Sequence, residues 1–503
     1  MSVTLQELES RLWGAANALR GPVDPADFKT YVFPMLFWKW LSDTWLHEHA
    51  EAVEEYGDDL TAEVEAEFHD FILPDGTRWD DVTNDTTGNL GANIQKALTR
   101  IEQANPTYLS GIFGDAARAN KERLPEPALV GVINKFNEIT LNPTTVTTDL
   151  LGRGYEYLLK NFADESGKKA GEFFTPRAVV NLLVNILEPE PGESLYDPTS
   201  GSGGMLVTAI NHLRANGKDA RTLRVFGQEV NLTTASIAKM NLFLHDPETF
   251  DIKRGDTLRD PKFRNPDGTL TQFDTVPANP PFSLSGWGAE KWPADPRAFC
   301  GVPPATKGDY AFVQHMITSM KPVTGRVGVV MPHGVLFRGG EEGRIRQCPV
   351  EKDLLEAVIG LPPNLFYSTS IPACLLIFRA EGSKRAERKN HVLFVDGSAR
   401  FAKGRNMNSM SDDDITVLTE AYKTGDDPDG PDFGANVRLV PFDEIKTNGF
   451  DLNIGRYIKV AAEEQADLGT LIVAYQEAKT VRVAAEAHMN AVLTAAGIEG
   501  FDD

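Results

Sequence analysis

From about Thr145 onward, short apolar runs alternate with stretches of helical character, and this alternation constrains the fold more than any other feature of the chain. Runs at Ser194–Asp197, Leu223–Glu229, Phe250–Lys253, Phe273–Val276, Gly325–Pro332, Leu354–Leu361 and Ala373–Phe378 predict strands. Met205–Leu213, Thr234–His245 and Asp309–Met320 predict helices between them. Strands alternating with helices imply an α/β fold with a mostly parallel, doubly wound sheet. Ligands of such sheets sit at the carboxyl ends of the strands, where the strand order reverses.

Residues 1–145 read as a separate N-terminal helical domain. Leu5, Leu8, Leu12 and Leu19 recur at helical spacing, and Tyr31–Leu41 is dense in aromatic residues, as expected of a buried helix. Glu51–Glu67 is acidic and reads as a solvated face. The catalytic domain is expected over 146–457, with a mixed stretch from about Gly382. Residues 458–503 read as a helical tail. There Leu468, Leu471, Tyr475, Ala478, Ala485, Met489 and Val492 fall near heptad positions, interrupted by Arg482. That stripe packs either on its own domain or on a partner's helix.

At 503 residues the chain is too long for one ordinary core. No apolar stretch approaches the roughly 20 residues of a membrane span, and the first twenty residues lack a signal-peptide core. The three cysteines, Cys300, Cys348 and Cys374, lie far apart without a CxxC, which fits a reducing cytoplasm and argues against a structural zinc site. The net charge of −22 is not that of a free-standing DNA-binding protein. Either a partner supplies most phosphate contacts, or a local basic strip does. The acidity also has a plainer reading as a device for solubility.

Two motifs carry chemistry. Asp197-Pro198-Thr199-Ser200-Gly201-Ser202-Gly203-Gly204 lies between a strand and an apolar helix, where a glycine-lined turn can seat a nucleotide-like ligand. It lacks the GxxxxGK[ST] form of an ATP phosphate cradle. Glu229 closes the next strand, where an acid commonly accepts hydrogen bonds from ribose hydroxyls. Asp256 follows the third strand and either accepts from an adenine amino group or serves as an ordinary turn residue.

The second motif, Asn279-Pro280-Pro281-Phe282, follows the fourth strand. An exocyclic amine on adenine is a poor nucleophile because its lone pair is delocalised into the ring. Two acceptors, the Asn279 side-chain oxygen and the Pro280 carbonyl, would draw the amine hydrogens out of plane and localise that lone pair. Two prolines stiffen the loop, and Phe282 can stack on the ring. A base in a duplex must be flipped out to reach such a pocket. This chemistry needs neither a Ser/His/Asp triad nor a metal. Glu165-Ser166-Gly167-Lys168 has the letters of a nuclease ExK element, but it lies in a polar loop.

With these motifs in this order, the chain resembles the N6-adenine DNA methyltransferases, and more closely the modification subunit of type I restriction-modification systems. Asn17–Gly21, Tyr31–Ser42, Gly171–Arg177, Leu361–Phe366 and Asn448–Tyr457 carry further parts of the resemblance. It implies a Rossmann-like S-adenosylmethionine-dependent methyltransferase domain, with S-adenosyl-L-methionine as cofactor. Donor-binding residues would be Glu172, Phe173, Phe174, Thr175, Pro176 and Arg177, with Asp197, Gly201, Ser202, Gly203, Gly204, Glu229 and Asp256. Implied partners are double-stranded DNA, a specificity subunit, a second copy of this chain and, in some assemblies, a restriction subunit. The C-terminal helix would pair with helices of the specificity subunit, and the N-terminal domain would close over DNA. Thr199-Ser200 stands where many relatives have Ala-Cys, and Phe282 where many adenine enzymes have Tyr. Glutamine methyltransferases acting on release factors also use an Asn-Pro-Pro-aromatic tetrad. A catalytically silent scaffold and a methyltransferase with its own target recognition are further alternatives.

Overall fold

Thr4 opens the first helix with a capping box: its hydroxyl accepts from Glu7 N, and the Glu7 carboxylate accepts from Thr4 N. The computed structural model describes residues 3–84, 88–166, 175–366, 371–405, 407–426, 436–458 and 468–495. Helix Leu5–Asn17 buries Leu8, Leu12, Ala15 and Ala16 against helices Glu126–Asn137 and Thr148–Ser166. The aromatic stretch lies in one long helix, Phe28–Tyr56, with Phe33, Phe37 and Trp38 fully buried. Phe33 packs on Tyr155 at 4.2 Å between centroids.

This helical core is completed by a helix from the strand-bearing region. Helix Leu232–Phe243 contributes Ile237 and Met240 to it. Tyr155 donates its buried hydroxyl proton to the Ile237 carbonyl at 2.9 Å, and Ser236 Oγ bonds the Gly111 carbonyl at 2.6 Å. Residues Met1–Ile454 accordingly form one unit and Gly455–Asp503 another.

Among the described residues the sheet has nine strands: β1 (Ser194–Asp197), β2 (Arg224–Glu229), β3 (Phe250–Arg254), β4 (Thr275–Ala278), β5 (Arg326–Pro332), β6 (Leu355–Gly360), β7 (Ala373–Arg379), β8 (His391–Asp396) and β9 (Val437–Pro441). Their spatial order is β3-β2-β1-β4-β5-β7-β6-β8-β9. Only β7 and β9 run against the rest. β8 and β9 fall in the stretch from Gly382 that reads as mixed in the sequence; β9 lies at the sheet edge and is largely exposed.

Leu195 of β1 faces a core shared with helices Arg177–Leu187 and Gly204–Ala215. Tyr196, next along the strand, points to the other face and packs with Phe263 and Phe273, and Phe273 packs in turn on Phe226. Strand order reverses at β1, which pairs with β2 on one side and β4 on the other. A polar tie fixes that junction. Ser194 N and Oγ both donate to Asp274 Oδ2, at 2.9 and 2.7 Å, and Lys321 Nζ reaches the same oxygen at 2.7 Å.

The fold corrects the reading of the three cysteines as far apart and suited to a reducing cytoplasm. Cys300 and Cys348, 48 residues apart, form a disulfide, while Cys374 is free and buried. Distance along a chain does not determine distance across a folded loop. In the second unit, helix Leu468–Ala495 exposes Tyr475, Val481, Met489 and Val492. Among the described residues, no helix is long and apolar enough to cross a membrane.

Burial alone would raise the Asp274 carboxyl, but bonds from Lys321 and Ser194 hold it below the ordinary range. Such a group stabilises the fold above its unfolded pKa and ceases to do so as pH falls through its folded value. Asp274→Ala should lower unfolding free energy by roughly 3 kcal/mol at neutral pH. Urea titrations should show the gap to the parent narrowing under acid conditions.

Candidate functional site

The turn after β1 is held at many points. Gly201 and Gly203 adopt φ of 52° and 81°, left-handed values that favour glycine. Ser200 N donates to the Gln228 carbonyl at 3.0 Å, and Gly203 N to the Ser200 carbonyl at 2.8 Å. Asn241 Nδ2 holds the Ser202 carbonyl at 3.1 Å, and Thr257 Oγ1 the Pro198 carbonyl at 2.5 Å. A Cβ on Gly227 would lie 2.8 Å from Ser200 Cβ, so β2 must be bare at that point for the turn to lie against it.

Three predicted carboxylates lie at the carboxyl ends of β1, β2 and the β3 turn, with different engagements. Glu229 Oε2 accepts from Gly201 N at 3.0 Å and Oε1 from Asn231 N at 2.8 Å, which ties the end of β2 to the glycine turn. Asp197 is buried, and its Oδ1 accepts from Thr199 N at 2.9 Å. Burial pushes its carboxyl up to about 7, against the opposing bond from Thr199 and with a further push from the Glu229 charge. Asp256 caps its own turn, accepting from Leu258 N at 3.0 Å and Arg259 N at 3.1 Å, with Arg259 Nη1 at 3.4 Å. The turn role accounts for its bonds.

β4 lies beside β1, paired in parallel at Leu195 and Thr275. The two following turns therefore leave adjacent strands at the same sheet edge. Asn279 is buried, and its Nδ2 donates to Thr175 Oγ1 at 2.9 Å. Its Oδ1 has no hydrogen-bond partner among the described residues. Ser200 Oγ, on the glycine turn, and Asn241 Oδ1, beneath it, are buried in the same condition. Buried polar atoms are rarely left unpaired in proteins, and these three gather at one edge. Pro280 is buried, and Phe282 is half-buried with its ring 6.0 Å from Phe366.

Of the segment expected to bind donor, Thr175 sits on the Asn279 amide. Pro176 caps helix Arg177–Leu187, and the exposed Arg177 lies 3.7 Å from Glu156. Glu172, Phe173 and Phe174 lie outside the described residues, as do Gly167 and Lys168 of the ExK letters. The sequence did not single out Asp309. It is buried at the start of helix Asp309–Thr318 and accepts from Ser283 N at 2.6 Å, where Ser283 adopts φ 52°. Arg338 Nη1 holds the other Asp309 oxygen at 3.0 Å, so an ion pair fixes the chain leaving Phe282. Its only signal in the sequence was an acid at a helix start, which has a commoner use as a cap.

A buried acid with a raised pKa stabilises the fold at low pH, and that contribution is lost as pH rises through its folded value. Between the ordinary Asp range and about 7, Asp197 should thus make stability fall with pH, by at most about 1.4 kcal/mol per unit. In Asp197→Asn this component should vanish, leaving a flatter profile of unfolding free energy against pH.

Comparison with known proteins agrees with this layout. Residues 146–466 match the N-6 DNA methylase family, and residues 8–136 match the HsdM N-terminal domain. The type I restriction enzyme MjaIX methylase subunit of Methanocaldococcus jannaschii is 32% identical, over 91% of this chain and 85% of the relative. The HindI methylase subunit of Haemophilus influenzae is 31% identical, over 78% of this chain and 91% of its own. The crystal structure of a type I restriction-modification methyltransferase subunit from Streptococcus thermophilus superposes with a TM-score of 0.79 at 32% identity, covering 91% of this chain and all of that one. With the glycine turn and the Asn-Pro-Pro-Phe tetrad on neighbouring strands of the matched region, the chain belongs to the N-6 DNA methylase family, among the methylase subunits of type I restriction enzymes.

Proposed function

We propose that this chain methylates the N6 amine of an adenine extruded from double-stranded DNA, with Asn279, Pro280, Pro281 and Phe282 forming the acceptor site. One observation carries the assignment of roles: the buried Asn279 amide spends a hydrogen on Thr175 and keeps its oxygen unpaired among the described residues, beside the glycine turn. Thr175 thereby orients the amide with its acceptor end free. Asn279 Oδ1 and the Pro280 carbonyl accept hydrogen bonds from the two amine N–H groups, and Phe282 supports the ring. Because these acceptors are fixed before the base arrives, little reorganisation is needed at the reacting nitrogen.

S-adenosyl-L-methionine, when bound, supplies an electrophilic methyl group on a cationic sulfur. The residues present suit such a ligand. Glu229 and Asp197 bring carboxylates to the edge, Gly201 to Gly204 permit close backbone approach, and Ser200 keeps a buried hydroxyl unpaired among the described residues. Glu229 would take the ribose hydroxyls. Thr175 links the donor-side segment to the acceptor tetrad, and Asp256 contributes mainly through its turn. The match to a DNA methylase family over 146–466 favours DNA over a protein glutamine as acceptor.

The domain reading remains 1–145 helical, 146–457 catalytic and 458–503 associative. The exposed apolar residues Tyr475, Val481, Met489 and Val492 on helix Leu468–Ala495 suit pairing with helices of a specificity subunit. Two copies of the chain would share that subunit, with a restriction subunit able to join. Genomic DNA as substrate places the assembly in the cytoplasm.

Labelled methyl transfer, followed by mapping of modified adenines, tests the reading with the chain co-expressed alongside its specificity subunit. Asn279→Ala should reduce kcat by at least about 100-fold, while donor affinity measured by calorimetry stays close to the parent's. Thr175→Val should lower kcat by a smaller factor, because the amide remains but loses its anchor. Methylation of DNA at parental rates by Asn279→Ala would rule out the assigned chemistry.

A further inference from the structure

The chain carries a net charge of −22, yet one turn at the carboxyl edge of the sheet presents the opposite sign. β8 runs parallel to β6, and through β7 and β5 shares the direction of β4, so it ends at the edge that carries the tetrad. The segment that follows, 397–410, contains Arg400, Lys403 and Arg405 and no acidic residue. Ala402 and Ser409 exchange backbone hydrogen bonds of 2.8 and 3.0 Å, which close it into a hairpin. A Cβ on Gly404 would fall 1.9 Å from the Met407 carbonyl oxygen, so the turn can tighten only around a glycine. Lys403 and Arg405, on either side of it, are both exposed.

The nearby acids are engaged elsewhere. Asp413 and Asp414, at the start of helix Asp412–Thr424, lie 3.8 and 3.9 Å from Arg400, and Asp414 also caps Ser411. Among the described residues, Lys403 and Arg405 have no ion-pair partner within 4 Å. Two cations left unpaired in an acidic protein suit an anionic partner.

The hairpin is also braced on the acceptor site. Asn408 Nδ2 donates to the Pro363 carbonyl at 2.7 Å, and Asn408 N to the Asn364 carbonyl at 2.9 Å. Two residues further on, Phe366 packs against Phe282. Four strand spacings separate β4 from β8, or ~19 Å at ~4.8 Å each. At ~3.4 Å per nucleotide along one strand, this corresponds to ~5 or 6 nucleotides from the extruded base.

We propose that the Lys403-Gly404-Arg405 turn is a binding site for backbone phosphates of duplex DNA, gripping the strand that flanks the extruded adenine. The proposal rests on the methyltransferase reading for its location, but its own readout is binding. The site makes charge-assisted hydrogen bonds to phosphate oxygens and reads no base.

The test uses the full chain assembled with its specificity subunit, in a Lys403→Ala/Arg405→Ala form and a Lys403→Glu/Arg405→Glu form. Anisotropy titrations with duplexes containing and lacking the mapped site are run across a series of salt concentrations. The neutralised form should weaken binding to both duplexes alike and reduce the slope of log affinity against log salt by about 2. The reversed form should weaken it further, and donor affinity should hold in both. Parental affinity and slope in both variants would overturn the proposal. So would loss of the specificity subunit from the complex with DNA affinity retained, since that assigns the turn to a protein interface. A parental complex that binds DNA but methylates none would overturn the methyltransferase reading while leaving the phosphate contact measurable.

Discussion

The parallel pairing of β1 with β4 is the constraint on which the site depends. Each strand ends in a turn with its own proposed role, and the proposed reaction needs both. The pairing places the two exits side by side at the point where strand order reverses. Its register is fixed at the opposite end of the strands, where Ser194 and Lys321 converge on Asp274 and Arg326 pairs with Glu193. A slip of one residue would send Tyr196 toward the helical face and Leu195 into the aromatic cluster, so packing and polar ties agree on one arrangement.

Around that junction the glycine turn is fixed from several directions at once. β2 supplies a bare Gly227 and the Gln228 carbonyl, Asn241 holds Ser202, and Thr257 holds Pro198. The helix that carries Asn241 also carries Ile237 and Met240 into the N-terminal core. One helix thus packs on the helical region and supports the glycine turn. This sharing explains why the first 454 residues form one unit despite two distinct hydrophobic cores.

Electrostatics divides the same edge into zones. Glu229 brings a carboxylate to the glycine turn, burial raises the neighbouring Asp197 carboxyl to about 7, and Arg338 bridges Asp309 and Glu342 behind the loop that leaves Phe282. The Lys403 and Arg405 turn stands apart as an exposed cationic point in an acidic chain. The acidity of the whole therefore says little about the polarity of that local surface.

Much of this was legible in the residues. Strand–helix alternation pointed to the mostly parallel sheet, and the glycine turn and the Asn-Pro-Pro-Phe tetrad pointed to the family, because each is a local motif. The N-terminal helices were visible through periodic leucines and the aromatic stretch. Long-range pairings were not. Nothing in the spacing of Cys300 and Cys348 announced their disulfide, and Asp309 is one ordinary acid at a helix start until Ser283 and Arg338 meet it. The sequence by itself determined which groups exist and which backbone shapes their neighbours permit. Tertiary structure decided which of those groups meet and which polar atoms, like Asn279 Oδ1, are left buried without a partner among the described residues, because hydrogen-bond satisfaction depends on the whole packed environment.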